Sequence, residues 1–145
     1  MRANAKPELR FIGVVEGADE HESVLRIFPE FNAGLKGVEE FSHLIVLYWM
    51  HLRDNEDERG TLLVFPRRHG GKVEKGVFAC RSPSRPNPIG LCVSELVGTD
   101  GHVLRVKGLD ALQGSPIVDI KPYLPRADSF PNAHVPEWTL DGPPT

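Results

Sequence analysis

His43-Leu44-Ile45-Val46-Leu47-Tyr48-Trp49-Met50 is an almost unbroken run of apolar residues, several of them β-branched or aromatic. It is strand-sized and far short of the ~18 residues a membrane helix requires. Its composition favours extended chain, and its continuity predicts a strand buried on both faces. Shorter runs of similar chemistry surround it: residues 11–15 and 24–28 before it, and residues 61–65, 76–80, 89–97, 103–106 and 116–120 after it. Glycine and proline separate these runs. Gly98-Thr99-Asp100-Gly101 and Asp110-Ala111-Leu112-Gln113-Gly114 carry turn chemistry. Only residues 32–41 space their apolar groups as a helix does, through Leu35, Val38 and Phe41. Gly34 and Gly37 fall inside that stretch at a cost of about 1 kcal/mol each, so one short helix at most is expected. The residues thus predict a mainly β chain of about eight short strands, arranged as a barrel or a sandwich.

With 145 residues and 16.1 kDa, the chain has the length of one domain and can bury a core without disulfides. An apolar fraction of 40% and a charged fraction of 26% are those of a globular protein and exclude general disorder. Six prolines from Pro122 onward mark a change in composition. The expected boundaries are a barrel domain over residues 8–128 and an irregular proline-rich C-terminal arm over residues 129–145. Cys80 and Cys92 are too few for a disulfide scaffold and suit a reducing compartment. The basic start at Arg2 and Lys6 precedes no apolar stretch, so the expectation is a cytoplasmic protein with no secretory signal and no membrane partner.

The net charge of −3 conceals an asymmetry. Between residues 67 and 85, six basic side chains (Arg67, Arg68, Lys72, Lys75, Arg81, Arg85) face one acid, Glu74. Acids gather elsewhere, between Glu16 and Glu22 and between Asp54 and Glu58. A basic stretch on an acidic chain either attracts a polyanion such as RNA through counterion release or is a solvated loop.

Several cofactor signatures are absent from the sequence. It has no Gly-x-Gly-x-x-Gly and no phosphate-cradling P-loop, which argues against a Rossmann site. No Cys-x-x-Cys or His-x-x-x-His pair occurs, and His43 and His51 would stand roughly 26 Å apart along an extended strand, so no metal is expected. His43 reads as a structural histidine at a strand start. His51, where the apolar run gives way to an acidic loop, is better placed to meet a ligand.

The least ordinary segment is Arg81-Ser82-Pro83-Ser84-Arg85-Pro86-Asn87-Pro88-Ile89-Gly90. Its three prolines fix φ near −65°, remove three backbone donors and push Ser82, Arg85 and Asn87 towards extended geometry. A stiff loop pre-orders Arg81, Ser82, Arg85 and Asn87, so a ligand loses less entropy on meeting them. Gly90 lets a flat base approach the backbone. The bland alternative is a rigid crossover between strands. Asp119, Lys121 and Tyr123 alternate onto one face of the last strand, as a surface ion pair or as the mouth of a pocket.

Three blocks taken together resemble a known family: Phe41-Ser42-His43-Leu44-Ile45-Val46-Leu47-Tyr48-Trp49; Gly76-Val77-Phe78-Ala79-Cys80-Arg81-Ser82-Pro83 running on through Arg85-Pro86-Asn87-Pro88-Ile89-Gly90-Leu91; and Leu109-Asp110-Ala111 with Val118-Asp119-Ile120-Lys121-Pro122-Tyr123. They are similar, in order over residues 11–128, to the TrmO/TsaA-like family. The resemblance implies a single β-barrel, usually homodimeric, that binds S-adenosylmethionine without a Rossmann fold. It implies methylation of N6 of threonylcarbamoyladenosine beside the tRNA anticodon. Carried over by matching positions, His51, Leu52, Arg81 and the strand start around Leu91 are donor contacts, and the proline loop between them (Ser82, Asn87, Pro88, Ile89, Gly90) belongs to the same site. Lys121 and Tyr123 fall in the recurrent Asp-Ile-Lys-Pro-Tyr block, expected on the substrate side. Where family members commonly carry a longer loop with a Pro-Arg-Gln-Pro-Gly type sequence, residues 15–23 here are short and acidic.

Methyl transfer from a sulfonium needs mainly in-line positioning of donor and acceptor. An acceptor nitrogen beside a carbonyl must also lose a proton, for which Asp119 and then His51 are the candidate bases. Arg85, Arg67, Arg68 and Lys72 would contact tRNA phosphates and set register. Two alternatives stay open from sequence: a methyltransferase acting on another acceptor, and a non-catalytic barrel that binds RNA or the methyl donor.

Overall fold

The computed structural model describes residues 6–18 and 21–142. The N-terminal residues 1–5, Asp19 and Glu20 of the acidic connection, and the final prolines Pro143 and Pro144 lie outside the described residues. Eight strands follow in chain order: β1 (Gly13–Ala18), β2 (Ser23–Ile27), β3 (His43–Trp49), β4 (Leu63–Val64), β5 (Lys75–Gly76), β6 (Ile89–Asp100), β7 (Val103–Lys107) and β8 (Pro116–Pro122). Six of them close a barrel in the order β1-β2-β7-β6-β3-β8, while β4 and β5 form a separate two-stranded sheet. The chain is mainly β, as its strand chemistry predicts. Two compact units result: one combines the described residues up to Trp49 with Leu91–Tyr123, the other combines Met50–Gly90 with the described residues from Leu124 onward.

In the barrel unit, alternation along each strand aims one set of side chains inward. Val15, Leu25, Ile27, Leu44, Val46, Leu104, Val106 and Ile117 form the buried core. Full burial of each such side chain is worth about 1.5–3 kcal/mol, which makes this apolar filling the main stabilising element of the barrel. Register is antiparallel, with Leu25 opposite both Val15 and Leu104, and Val46 opposite Ile120. Bulges at Val15/Gly17, Leu47/Tyr48 and Leu96/Gly98 add the local twist that closure requires. Gly13 permits the closest strand approach: a Cβ there would stand 2.3 Å from the Arg26 carbonyl oxygen.

Several local expectations are corrected. β3 buries Leu44, Val46 and Tyr48 on one face, but Ile45 and Leu47 on the other are only half-buried. Residues 32–41 form 3-10 turns, Pro29–Leu35 and Val38–Glu40, in place of a helix, because Gly37 sits between them at φ 90° and redirects the chain. The α-helices lie elsewhere: α1 (Glu56–Gly60) and α2 (Pro125–Asp128). Of residues 76–80, only Gly76 is paired; Val77–Ala79 turns as a 3-10 helix, since the β4–β5 ladder holds two residue pairs. β6 continues through the expected turn at 98–100, with its bulge absorbing Gly98, and the chain reverses at Gly101 and His102. The C-terminal arm is not wholly irregular, for it holds a 3-10 helix, Glu137–Leu140. Among the described residues, no helix is long and apolar enough to cross a membrane.

Candidate functional site

The second unit carries the proline loop, and a short acidic helix braces it. Beyond β3 the backbone N–H of Met50 donates to the Pro88 carbonyl at 2.7 Å, fixing the far end of the loop beside the start of the 3-10 turn His51–Arg53. Asn55 then caps α1: its side-chain oxygen accepts from the Glu58 N–H at 2.9 Å. Only five residues long, α1 nonetheless presents two consecutive charged side chains to the loop. Glu58 accepts from the Ser84 hydroxyl and, at 2.9 Å, from Arg53 Nη1. Arg59 Nε donates to the Pro86 carbonyl at 2.8 Å, its Nη2 lies 3.5 Å from Asn87 Oδ1, and its Nη1 pairs with Asp54 at 3.0 Å.

The loop also ties itself together. Arg85 Nη1 donates to the carbonyls of Ser82 (2.9 Å) and Cys80 (3.3 Å), so this guanidinium serves the loop's own conformation. The Ser84 N–H donates to Ser82 Oγ at 3.2 Å, and the Ile89 N–H to the Asn87 carbonyl at 2.7 Å. Pro88 and Gly90 are buried, Ser82 and Ile89 half-buried, and Arg81 and Asn87 exposed. The Ser84 hydroxyl and then the Arg53 guanidinium stabilise the ionised Glu58 carboxylate and hold its pKa below the ordinary value of 4.5.

His51 is half-buried, and its Nδ1 is fully enclosed with no hydrogen-bond partner among the described residues. A buried ring nitrogen without a partner costs about 1–3 kcal/mol, and a polar ligand atom reaching it would recover that cost. Leu52 beside it is 65% exposed, and Leu91 at the start of β6 is 50% exposed. Both are apolar surfaces of the kind that a nucleoside ring or a thioether covers. The basic segment lies in this same unit, where Arg67, Arg68 and Lys72 are all exposed around the 3-10 turn Arg67–His69.

Asp119, Lys121 and Tyr123 are carried by the barrel unit at the end of β8. Lys121 Nζ lies 2.9 Å from Asp119 Oδ2, and Asp119 Oδ1 accepts from the Ile120 N–H at 2.9 Å. Both carboxylate oxygens are therefore engaged, and the surface ion pair permitted by the alternation is formed. The Tyr123 ring meets His43 edge-on with centroids 6.4 Å apart, and His43 Nδ1 lies 2.8 Å from Ser42 Oγ, as suits a structural histidine.

The sequence reading missed Glu58 and Arg59. Its signal was present: Asn55 followed three residues later by Glu58, with acids between, is a helix-start pattern. No local rule, however, pairs those residues with a loop some 27 positions further on.

A closed barrel bearing a braced proline loop defines the class. The sequence profile of the tRNA-methyltransferase O N-terminal domain matches residues 15–129, and the chain belongs to that family. A "probable S-adenosyl-L-methionine-binding protein" of Methanothermobacter thermautotrophicus is 53% identical over 109 residues, covering 75% of this chain and 74% of the relative. The Escherichia coli tRNA (adenine(37)-N6)-methyltransferase is 41% identical over 125 residues, covering 83% of this chain and 52% of that protein. A crystal structure of TrmO from Pseudomonas aeruginosa superposes with a TM-score of 0.68 at 27% identity, covering 90% of this chain and 62% of that one. The chain thus spans about half the length of the Escherichia coli relative, and 37% of a relative from Archaeoglobus fulgidus that is 50% identical to it.

Proposed function

We propose that this chain binds S-adenosylmethionine at the proline loop and transfers its methyl group to N6 of threonylcarbamoyladenosine beside the anticodon of tRNA. The observation that carries the reading is the braced loop next to the unpartnered His51 Nδ1, in a chain whose relatives are named as donor-binding proteins and as a tRNA N6-methyltransferase. When bound, the donor supplies a methyl already activated by its positive sulfur; the acceptor nitrogen gains that methyl and releases its proton, leaving the neutral thioether.

The chain's own residues hold and orient. His51 Nδ1 offers a hydrogen bond inside the site, and Leu52 and Leu91 cover apolar parts of the donor. Ser82, Asn87, Pro88, Ile89 and Gly90 form a wall whose shape is fixed by Glu58 and Arg59, so little entropy is lost on binding. Arg81, exposed at the start of the loop, contacts the donor, and the exposed cations Arg67, Arg68 and Lys72 attract the tRNA backbone, with Arg85 holding the loop from which Arg81 projects. Of the two candidate bases, His51 has an unengaged nitrogen, whereas Asp119 is already paired with Lys121. Lys121 and Tyr123, at the end of β8, are read as substrate-side residues of the barrel unit. Val93 and Val97, exposed along the outer face of β6, support pairing of two chains as a homodimer.

The test is methylation in vitro with a methyl-labelled donor and two tRNA preparations, one carrying threonylcarbamoyladenosine and one lacking it. The digested nucleosides are then examined by mass spectrometry. A labelled methyl on N6 of the modified adenosine alone is expected. Donor binding by calorimetry without any labelled nucleoside would move the activity to another acceptor. Absence of donor binding would overturn the reading.

A further inference from the structure

The C-terminal arm has more contacts than a tail needs, and they converge on the basic segment. Trp138, half-buried in the 3-10 helix Glu137–Leu140, meets the His69 ring edge-on with centroids 5.7 Å apart at 75°. Lys75 Nζ lies over the same Trp138 ring, 5.5 Å from its centre. His69 Nδ1 stands 2.7 Å from the Asp141 carbonyl oxygen; since a carbonyl only accepts, that nitrogen carries the proton. Gly142, at φ 90°, lies so close to the Arg68 peptide that a Cβ would fall 1.6 Å from the Arg68 oxygen. Contacts from residues 138–142 thus reach residues 68, 69 and 75, at both ends of the stretch 67–75.

Between those ends the turn is closed by its own backbone, with the His69 and Gly71 N–H groups donating to the Pro66 carbonyl and the Gly70 N–H to the Arg67 carbonyl. The segment consists of the 3-10 turn Arg67–His69, the pair Gly70-Gly71, and three further residues before the two-residue strand β5. Two adjacent glycines give it more conformations to lose than any other part of this unit. Yet its exposed cations, Arg67, Arg68 and Lys72, are useful to a polyanion only when they stand together.

We propose that the C-terminal arm is a strap that holds residues 67–75 as a preformed platform for the RNA phosphate backbone, with Trp138 as its positioning residue. This rests on the tRNA reading above. The strap touches neither the proline loop nor any donor-facing residue in the contacts described. It therefore governs RNA affinity separately from donor affinity.

The test uses the full chain with Trp138→Ala, Trp138→Phe and Gly142→Ala, with tRNA affinity measured by fluorescence anisotropy over a salt series. Thermal unfolding by circular dichroism checks that each variant is folded. Trp138→Ala and Gly142→Ala are expected to lose about five- to tenfold in tRNA affinity. Their dependence of log K on log salt should also flatten by the equivalent of one to two phosphate contacts, each worth about 0.7–0.9 in slope. Trp138→Phe, which keeps a ring against His69, should restore most of the affinity. Folded variants that bind tRNA like the parent with the same salt slope would overturn the strap alone. A parent protein that binds no tRNA would overturn both the strap and the tRNA reading, whereas variants that unfold with the barrel would assign the arm to general stability and overturn the proposal.

Discussion

Arg59 Nε donates to the carbonyl oxygen of Pro86 at 2.8 Å, and through this one hydrogen bond a five-residue helix governs a loop that its own prolines only partly fix. Proline sets φ at three positions, but ψ remains to be chosen at each, and a carbonyl without a partner would choose badly. Arg59 settles the choice at Pro86, Glu58 settles the orientation of Ser84, and the Met50 N–H holds Pro88. The loop is thus held at three points by the segment running from Met50 to Arg59.

Arg59→Ala should release the loop. Removing the donor leaves the Pro86 carbonyl in a partly buried position, for a loss of about 1 kcal/mol in stability. Donor affinity measured by calorimetry should fall about tenfold as the wall loses its fixed shape. Arg59→Lys should recover only part of this, because one ammonium lacks the planar fork that reaches Pro86, Asn87 and Asp54 together. Equal donor affinity in parent and Arg59→Ala would show that the prolines suffice.

The Glu58 carboxylate gives the brace a pH dependence. Its folded pKa is lowered, first by the Ser84 hydroxyl and then by Arg53. A depressed carboxylate pKa means that the unfolded chain binds the proton more readily, so the stabilisation is fully present above the ordinary value of 4.5 and is lost as pH falls through the folded value. Urea denaturation at several pH values should therefore show the parent losing its advantage over Glu58→Gln as the solution is acidified below about 4.5. Ser84→Ala should reduce that pH dependence. A parent–variant difference that is constant with pH would remove Glu58 from this role.

The parts of the fold that the sequence made legible were those set by local chemistry. The run from His43 to Trp49 is a strand because its side chains are, and Val103–Lys107 and Pro116–Pro122 follow for the same reason. Residues 76–80 misled because valine and phenylalanine favour extended chain in general, while strand formation there depends on a partner that offers only Leu63 and Val64. The proline loop stood out because its rigidity is covalent. Its brace did not, because the Glu58–Ser84 and Arg59–Pro86 pairings are long-range and leave no periodic trace. The unsatisfied Nδ1 of His51 is likewise a property of the packed structure alone.

Gly13→Ala tests the closure of the barrel. The added methyl would sit 2.3 Å from the Arg26 carbonyl, a contact with backbone that no rotamer can relieve. The strands must separate locally, at a cost of about 1–3 kcal/mol. For a domain of this size that should lower the thermal midpoint by several degrees. A midpoint unchanged from the parent would mean that β1 and β2 shift apart freely, which the paired register from Gly13 to Ile27 argues against.

His51→Leu separates function from stability most sharply, because the two should move in opposite directions. The parent encloses Nδ1 without a partner, so an apolar side chain of similar width removes an unsatisfied group and should leave the protein as stable as before or more so, by up to about 1 kcal/mol. The same change deletes the hydrogen bond offered to the donor, and affinity for S-adenosylmethionine should fall about tenfold or more. A group kept for packing would show the reverse, with stability lost and binding retained. A thermal melt and a donor titration on the same preparation decide between them: a destabilised variant with unchanged donor affinity would make His51 a scaffold residue and move the donor away from the end of β3.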